Sequence, residues 1–459
     1  MRLRKKILLS IGLLVLILLL LGVWYAWRAF PIISGYGAKN MASAIYLQHR
    51  KPVDILKEDL GSFPLSLGTF TVNEADSSVT GSVWGFAKRK AIYRKGLGCT
   101  LVNGYSEAKI RAQRFLLPVS QHPNTDFLRW PYGERVSDSL PPQVNKALLQ
   151  QAITNAMQAT ADGQPAYTRA VLVVYDGQLV GEQYAPGFDQ NTVMLGWSMS
   201  KSLTGALIGV LVKEGKLKLD APAPVPEWKG TDKAAITLKN LLQQTSGLDF
   251  EEDYANPSEV TNMLFKEGDM AAYTARLPLK HQPGSVFYYS SGNSNLLSRI
   301  IRHTVGEQHY AAFPYQALFH KLGMYSALLE PDASGTYIGS SYSYATARDF
   351  ARFGLLYLNK GMWNGEQLLP AQWVEQSISP SPADAQQQYG YQFWLNGRSE
   401  ASPSQRLYPD VPADMFYAAG YGGQNIYIIP SKKLVVVRTG LQKIDGNTFL
   451  KEVIQAIGE

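Results

Sequence analysis

Ser198-Met199-Ser200-Lys201-Ser202-Leu203-Thr204-Gly205-Ala206-Leu207-Ile208-Gly209-Val210-Leu211 sets the reading of this 459-residue chain. Leu203, Ala206, Leu207, Val210 and Leu211 recur at three and four residues and the run stops at Gly215, so a buried helix is predicted. A spacing of three puts the Ser198 hydroxyl and the Lys201 amine on one face of that helix. A lysine in the first turn sits where the helix already carries partial positive charge. That placement, with burial, lowers the amine's proton affinity and makes it a usable base for a neighbouring hydroxyl. The backbone N–H of Ser198 at the same helix end can face a developing oxyanion.

Ser-x-x-Lys recurs at Ser106-Glu107-Ala108-Lys109, where no long apolar periodic run follows, and that copy reads as solvated surface. Gly196-Trp197-Ser198-Met199-Ser200 narrowly misses the Gly-x-Ser-x-Gly elbow, lacking its second glycine. The plain alternative for Ser198 is a helix N-cap. The rest of the chain decides between them.

Residues Ile7 to Trp27 carry no charge and as a helix would span roughly 31 Å, enough for a hydrocarbon core of about 30 Å. Arg2, Arg4, Lys5 and Lys6 precede the span and Trp24, Tyr25 and Trp27 close it, which predicts a single-pass anchor with a cytoplasmic N-terminus. A cleaved signal peptide is the rival. Its apolar core would be about 7–15 residues followed by a small-x-small site, where this chain has Trp24-Tyr25-Ala26-Trp27-Arg28-Ala29-Phe30. Either way the remainder is exported, and the expected location is the inner membrane with the folded part on the extracytoplasmic side.

The net charge of +7 is spread along the chain apart from the N-terminal cluster, so nucleic acid is not an expected partner. Cys99 is the single cysteine, which excludes an intrachain disulfide and a thiolate metal cluster. The six histidines form no His-Glu-x-x-His or His-x-His pattern, so neither a metal nor a cofactor is expected.

Three segments are expected: residues 1–30, cytoplasmic N-terminus and anchor; 31–125, a small β-containing module and linker; and 126–459, the main domain. In the module, Gly68–Val72 and Ser82–Phe86 read as strands. In the main domain a helix is predicted from Asn145 to Ala159. A hairpin follows, with Ala170–Tyr175 and Gln178–Glu182 joined at Asp176-Gly177. A second hairpin joins Asn425–Ile429 to Leu434–Arg438, and a helix from Asn447 to Ile457 comes after it. Strands at both ends with helices between them predict an α+β fold. Its antiparallel sheet is closed by joining N- and C-terminal strands, against a helical lobe from about 198 to 380.

Two further clusters are candidate sites. Pro283-Gly284-Ser285-Val286-Phe287-Tyr288-Tyr289-Ser290-Ser291-Gly292-Asn293 turns and then opens an apolar helix, Leu296 to Ile301. A tyrosine beside a lysine can share its proton. The other reading is an aromatic core pair in a chain with 26 tyrosines. Gly420-Tyr421-Gly422-Gly423-Gln424 opens the last hairpin. Its glycines would let a ligand approach the backbone, and the Gln424 N–H could complete an oxyanion hole. The other reading is a tight turn.

The order Ser-x-x-Lys, Tyr-Ser-Ser, Gly-Tyr-Gly-Gly resembles the serine hydrolases of the penicillin-recognising superfamily, on the class C β-lactamase side. Within it the chain is most like the 6-aminohexanoate oligomer hydrolases and related esterases. Leu241-Leu242-Gln243-Gln244-Thr245-Ser246-Gly247-Leu248 is similar to that group's Leu-Leu-x-His-Thr-Ser-Gly-Leu, and Ala345–Leu356 to another recurring stretch. The likeness covers about 165–445. It implies a β-lactamase/DD-peptidase-like sheet flanked by helices. It also implies that Ser198 is the acylated nucleophile, Lys201 its proton acceptor and Tyr289 the second acid/base residue. The N–H groups of Ser198 and Gln424 would form the oxyanion hole, and Ser291, Tyr421, Gly422 and Gly423 would contact substrate.

Two positions depart from the pattern. Ser291 stands where β-lactamases of this side have asparagine, and cannot offer an amide NH2. Tyr421 stands where lysine or histidine is usual, so a charge-assisted contact to a substrate carboxylate is lost. The expected substrate is therefore a small-molecule or peptide-like amide or ester. A DD-peptidase or β-lactamase is the alternative among enzymes. A non-catalytic envelope scaffold is the alternative of another class.

Overall fold

The computed structural model describes residues 2–118, 123, 125, 127–161 and 163–458. Positions 1, 126 and 459, which end the expected segments, lie outside the described residues. Helix α1 (Arg2–Tyr46) holds the apolar span and continues past it through Pro31. Its exposed apolar part begins at Leu3, and no side chain in the most apolar window is buried. Beyond Phe30 the helix turns small and polar, and its Ser34, Ala38, Lys39, Ala42 and Ser43 are fully buried. The helix therefore runs unbroken across position 30 into the folded body.

Strands β1 (Gly68–Asn73), β2 (Ser78–Val83), β3 (Phe86–Arg94) and β4 (Gly98–Leu101) form an antiparallel sheet in sequence order, packed on α1. The strand expected over Ser82–Phe86 is instead the tip of the β2–β3 hairpin. Trp84 (φ 51°) and Gly85 (φ 82°) are both left-handed, which ends one strand and starts the next. This layer shares a core with the rest of the protein: Met41, Val79 and Cys99 pack with Trp197, Phe250, Phe265 and Tyr342. A buried ion pair of Lys39 with Glu330 pins it. Ser43 Oγ (2.9 Å) and the Cys99 N–H (2.5 Å) also donate to that carboxylate.

In the main domain, α2 (Lys146–Gln158) is capped by Asn145. Strands β5 (Ala170–Tyr175) and β6 (Gln178–Tyr184) form the first predicted hairpin, turning at Asp176 (φ 45°) and Gly177 (φ 77°). Helices α3 (Met199–Lys213), α4 (Ser291–Val305) and α5 (Ala347–Leu358) follow. Then come β7 (Trp394–Leu395), β8 (Phe416–Gly420), β9 (Gln424–Ile429), β10 (Leu434–Thr439) and α6 (Gly446–Ala456). The sheet order is β7-β8-β9-β10-β5-β6, all antiparallel, so the last strand pairs with the first hairpin from Leu434↔Tyr175 to Thr439↔Ala170.

Successive side chains of β5 and β10 face opposite sides, and both sides are dry. Leu172, Val174, Val435 and Val437 pack toward α3 and α5. Val171, Val173, Leu434 and Val436 pack toward α2 and α6. This is the predicted α+β architecture.

Candidate active site

A two-residue strand, Met194–Leu195, pairs with Ser343–Ala345 and delivers the chain to Gly196, whose N–H donates to Ser343 O at 2.8 Å. Trp197 then takes a left-handed backbone (φ 46°), rare for a bulky residue and costing about 1–3 kcal/mol. Packing holds it there. Its ring stacks on Tyr36 of α1 (6.0 Å between centroids) and meets Tyr342 (5.5 Å) and Tyr421 (5.7 Å). The Trp197 carbonyl accepts from Ser200 N (2.9 Å) and Ser200 Oγ (2.6 Å). Ser198 is thereby set at the N-cap of α3, without spending its hydroxyl on capping.

Lys201 lies one turn on and is buried, 1% exposed. Its Nζ is 3.0 Å from each of Ser198 Oγ, Ser291 Oγ and Ser340 O. Burial pulls the amine down to about 8, and the Glu252 carboxylate opposes that shift. The Nζ also lies over the Tyr289 ring, 4.8 Å from its centroid. Burial holds the Tyr289 phenol well above its ordinary value, with Tyr389 and Glu252 adding to the effect and a hydrogen bond with Ser198 opposing it. Burial thus favours the neutral form of both groups. Tyr289 is fixed by stacking on Trp394 (5.2 Å) and by an edge contact with Tyr389 (5.7 Å).

Glu252 was not among the residues expected from the sequence. Its Oε1 accepts from Ser291 Oγ (2.5 Å) and Tyr254 OH (2.8 Å), and its Oε2 from the Ser291 N–H (2.7 Å). Ser291, fully buried at the start of α4, therefore bridges the lysine and a carboxylate. It is placed in this charge chain, behind the surface a substrate would touch. An acidic run, Glu251-Glu252-Asp253, follows the Gly247-Leu248 turn in the sequence and was the available signal.

Ser198 opens into a cleft of about 620 Å³ walled by Tyr254, Tyr289, Trp394, Tyr408, Tyr417 and Tyr427. Gly420, Tyr421 and Gly423 also line it. Gly420 has to lack a side chain, since a Cβ there would stand 2.2 Å from Gly196 O, two residues before Ser198. Gly422 and Gly423 turn their carbonyls to Arg438 Nη1, 3.0 Å each, and a Cβ on Gly422 would meet Leu441 O at 2.6 Å. Those two glycines make room for the protein's own loop. Gln424 is buried, pairs with Gly420 across the hairpin, and its side chain ties Tyr421 O and Gly440. A cation does reach the cleft, at Lys443, with Asp445 nearby. The second Ser-x-x-Lys is exposed, Ser106 Oγ capping a short helix through the Lys109 N–H. Among the described residues no group of three His, Cys, Asp or Glu side chains converges as a metal site.

The β-lactamase family profile matches residues 150–440. A 6-aminohexanoate-dimer hydrolase from Paenarthrobacter ureafaciens is 27% identical over 295 residues, which is 59% of this chain and 72% of that protein. Protein flp of Staphylococcus aureus (strain MRSA252) is 36% identical over 121 residues, 25% of this chain and 24% of flp, so the chain spans about a quarter of flp. Among solved structures, a family VIII carboxylesterase superposes with a TM-score of 0.53 at 14% identity, covering 70% of this chain and 99% of that one. A penicillin-binding protein homolog from Caulobacter crescentus does so with a TM-score of 0.50 at 17% identity, covering 71% and 98%. These two likenesses show the fold. With the profile matching more than half of its length, the chain belongs to the β-lactamase family of serine hydrolases.

Proposed function

We propose that the protein is a membrane-anchored hydrolase that cleaves an amide or ester through an acyl-enzyme on Ser198. The observation that carries this reading is the 3.0 Å contact between Ser198 Oγ and a buried Lys201 amine whose pKa is drawn to about 8. Neutral Lys201 takes the Ser198 proton as Oγ bonds to the carbonyl carbon, and the oxyanion rests against the N–H groups of Ser198 and Gln424. The bond to the leaving nitrogen or oxygen breaks as Tyr289 donates its proton to that atom, and Lys201 restores the Tyr289 proton. Water then attacks the ester carbon, giving its proton to the same base, and Ser198 Oγ leaves reprotonated. Roughly one lysine in ten is neutral at pH 7 if its pKa is about 8.

The span in α1 and the basic residues before it support anchoring with the site on the extracytoplasmic side. Tyr421 in place of a cation favours neutral esters or amides over carboxylate-bearing ones. Lys443 in the cleft is the one observation favouring carboxylate-bearing cell-wall peptides or β-lactams instead. The test compares kcat/KM for nitrophenyl butyrate and a chromogenic cephalosporin, in wild type and Ser198→Ala. Faster turnover of the butyrate, abolished in the variant, is expected. A faster cephalosporin reaction would favour the second reading, and butyrate turnover surviving in Ser198→Ala would remove the acyl-enzyme.

A further inference from the structure

Beside the cleft lies a second cavity of about 490 Å³, within the roughly 300–1,000 Å³ of small-molecule sites, and it belongs to the junction with α1. Ala26, Ala29, Phe30 and Ile33 of α1 form one wall, with Phe63 and Phe265 opposite. Its lining is mostly apolar. Tyr254 and Tyr421 line both this cavity and the cleft at Ser198, their ring centroids 5.8 Å apart, so the two spaces adjoin at this exposed tyrosine pair. Trp197, the neighbour of Ser198, lines it as well.

The other end of the cavity reaches Tyr25, at the point where the apolar span ends. Large aromatic side chains are exposed at this level: Trp27 (83%), Phe63 (79%), Phe86 (70%) and Trp84 (67%). Trp84 touches Phe30 edge-on at 5.3 Å, so the β2–β3 hairpin tip stands beside the end of the span. Exposed Trp and Phe gathered around the emergence of an apolar helix are the pattern of an interfacial belt. On that placement the cavity mouth faces the bilayer surface.

We propose that this cavity is an acyl-chain site, receiving the hydrocarbon tail of a bilayer-resident ester or amide whose carbonyl reaches Ser198 when the exposed Tyr421 ring turns away from Tyr254. The proposal rests on the hydrolase and anchoring readings above and names their substrate class as long-chain acyl derivatives. The chemistry is unchanged. The acyl carbon bonds to Ser198 Oγ, the polar head departs with a proton as alcohol or amine, and water releases the fatty acid. The small side chains of Ala26 and Ala29 leave the space a tail would fill.

The full chain, reconstituted in nanodiscs of phosphatidylethanolamine and phosphatidylglycerol, is tested in two arms. In the first, kcat/KM is measured for nitrophenyl octanoate and nitrophenyl butyrate. Each methylene moved out of water is worth up to roughly fourfold, so an octanoate preference of at least about tenfold is expected. Ala29→Trp, and independently Ala26→Trp, should lower the octanoate-to-butyrate ratio by about tenfold. An unchanged ratio in both variants overturns the assignment. In the second arm, Ser198→Ala protein is photolysed with a diazirine-bearing palmitate and the adducts are mapped. Adducts within 26–36 and 62–67 are expected, and adducts confined to 3–23 overturn the site. Loss of butyrate hydrolysis in wild type would instead defeat the hydrolase reading, while the photolabelling result stands by itself.

Discussion

Replacing Glu252 with glutamine keeps the shape and a hydrogen-bond acceptor for Ser291 while removing one charge from behind Lys201. Hydrogen bonds of 3.0 and 2.5 Å through Ser291 Oγ put the carboxylate on the order of 5 Å from the amine. At an effective dielectric of about 20, charges that close interact by about 3 kcal/mol, which is worth about two pH units; partial exposure of Glu252 halves it. The carboxylate favours the charged amine, so its loss should make Lys201 less basic. In wild type, kcat/KM for nitrophenyl butyrate should rise with pH through a midpoint of about 8, because the neutral amine is the active form. In Glu252→Gln the midpoint should fall by about one unit, to about 7, and Glu252→Asp should keep it nearer the wild-type value. The pH profiles of the three proteins decide the matter. An unmoved midpoint in the glutamine variant, with only KM altered, would refute the charge chain and leave Glu252 as a packing residue.

Tyr289→Phe should lower kcat by about 10²–10⁴ with little change in KM, measured by steady-state kinetics. Near-normal turnover would leave Tyr289 as the aromatic packing partner of Trp394. Lys39→Met should cost about 3–5 kcal/mol in denaturant unfolding, because Glu330 is left buried and unpaired, and adding Glu330→Gln should recover most of it. Tyr421→Lys should improve kcat/KM for carboxylate-bearing substrates by roughly 10- to 150-fold relative to nitrophenyl butyrate, the range for a charged hydrogen bond of about 1.5–3 kcal/mol.

The main sheet and the helix that begins at Ser198 were legible because their signals are local. Ala170–Tyr175 and Leu434–Thr439 are continuous apolar runs bounded by turn residues, and the buried face of α3 repeats at three and four residues. The contact between Ser198 and Lys201 follows from helix geometry alone. The reach of α1 was not legible. Past Pro31 its buried positions mix Ile33, Ala38, Met41, Ala42 and Ala44 with Ser34, Lys39 and Ser43, and the buried lysine among them is held by a charge on a residue 291 positions away. The strain at Trp197 and the partnership of Glu252 with Ser291 are likewise products of distant packing, Tyr36 on one side and the start of α4 on the other. Tyr-Ser-Ser could be placed next to Lys201 from its motif. That its last serine hydrogen-bonds a carboxylate inside the protein needs the folded loop.

The most direct test of the central claim is the mass and position of the adduct formed with a fluorophosphonate. The full chain should gain one phosphonyl group, and peptide mapping should place it on Ser198. Labelling should vanish in Ser198→Ala, persist in Ser106→Ala, and slow in Lys201→Ala. An adduct on any other serine, or undiminished labelling of Ser198→Ala, would contradict the account.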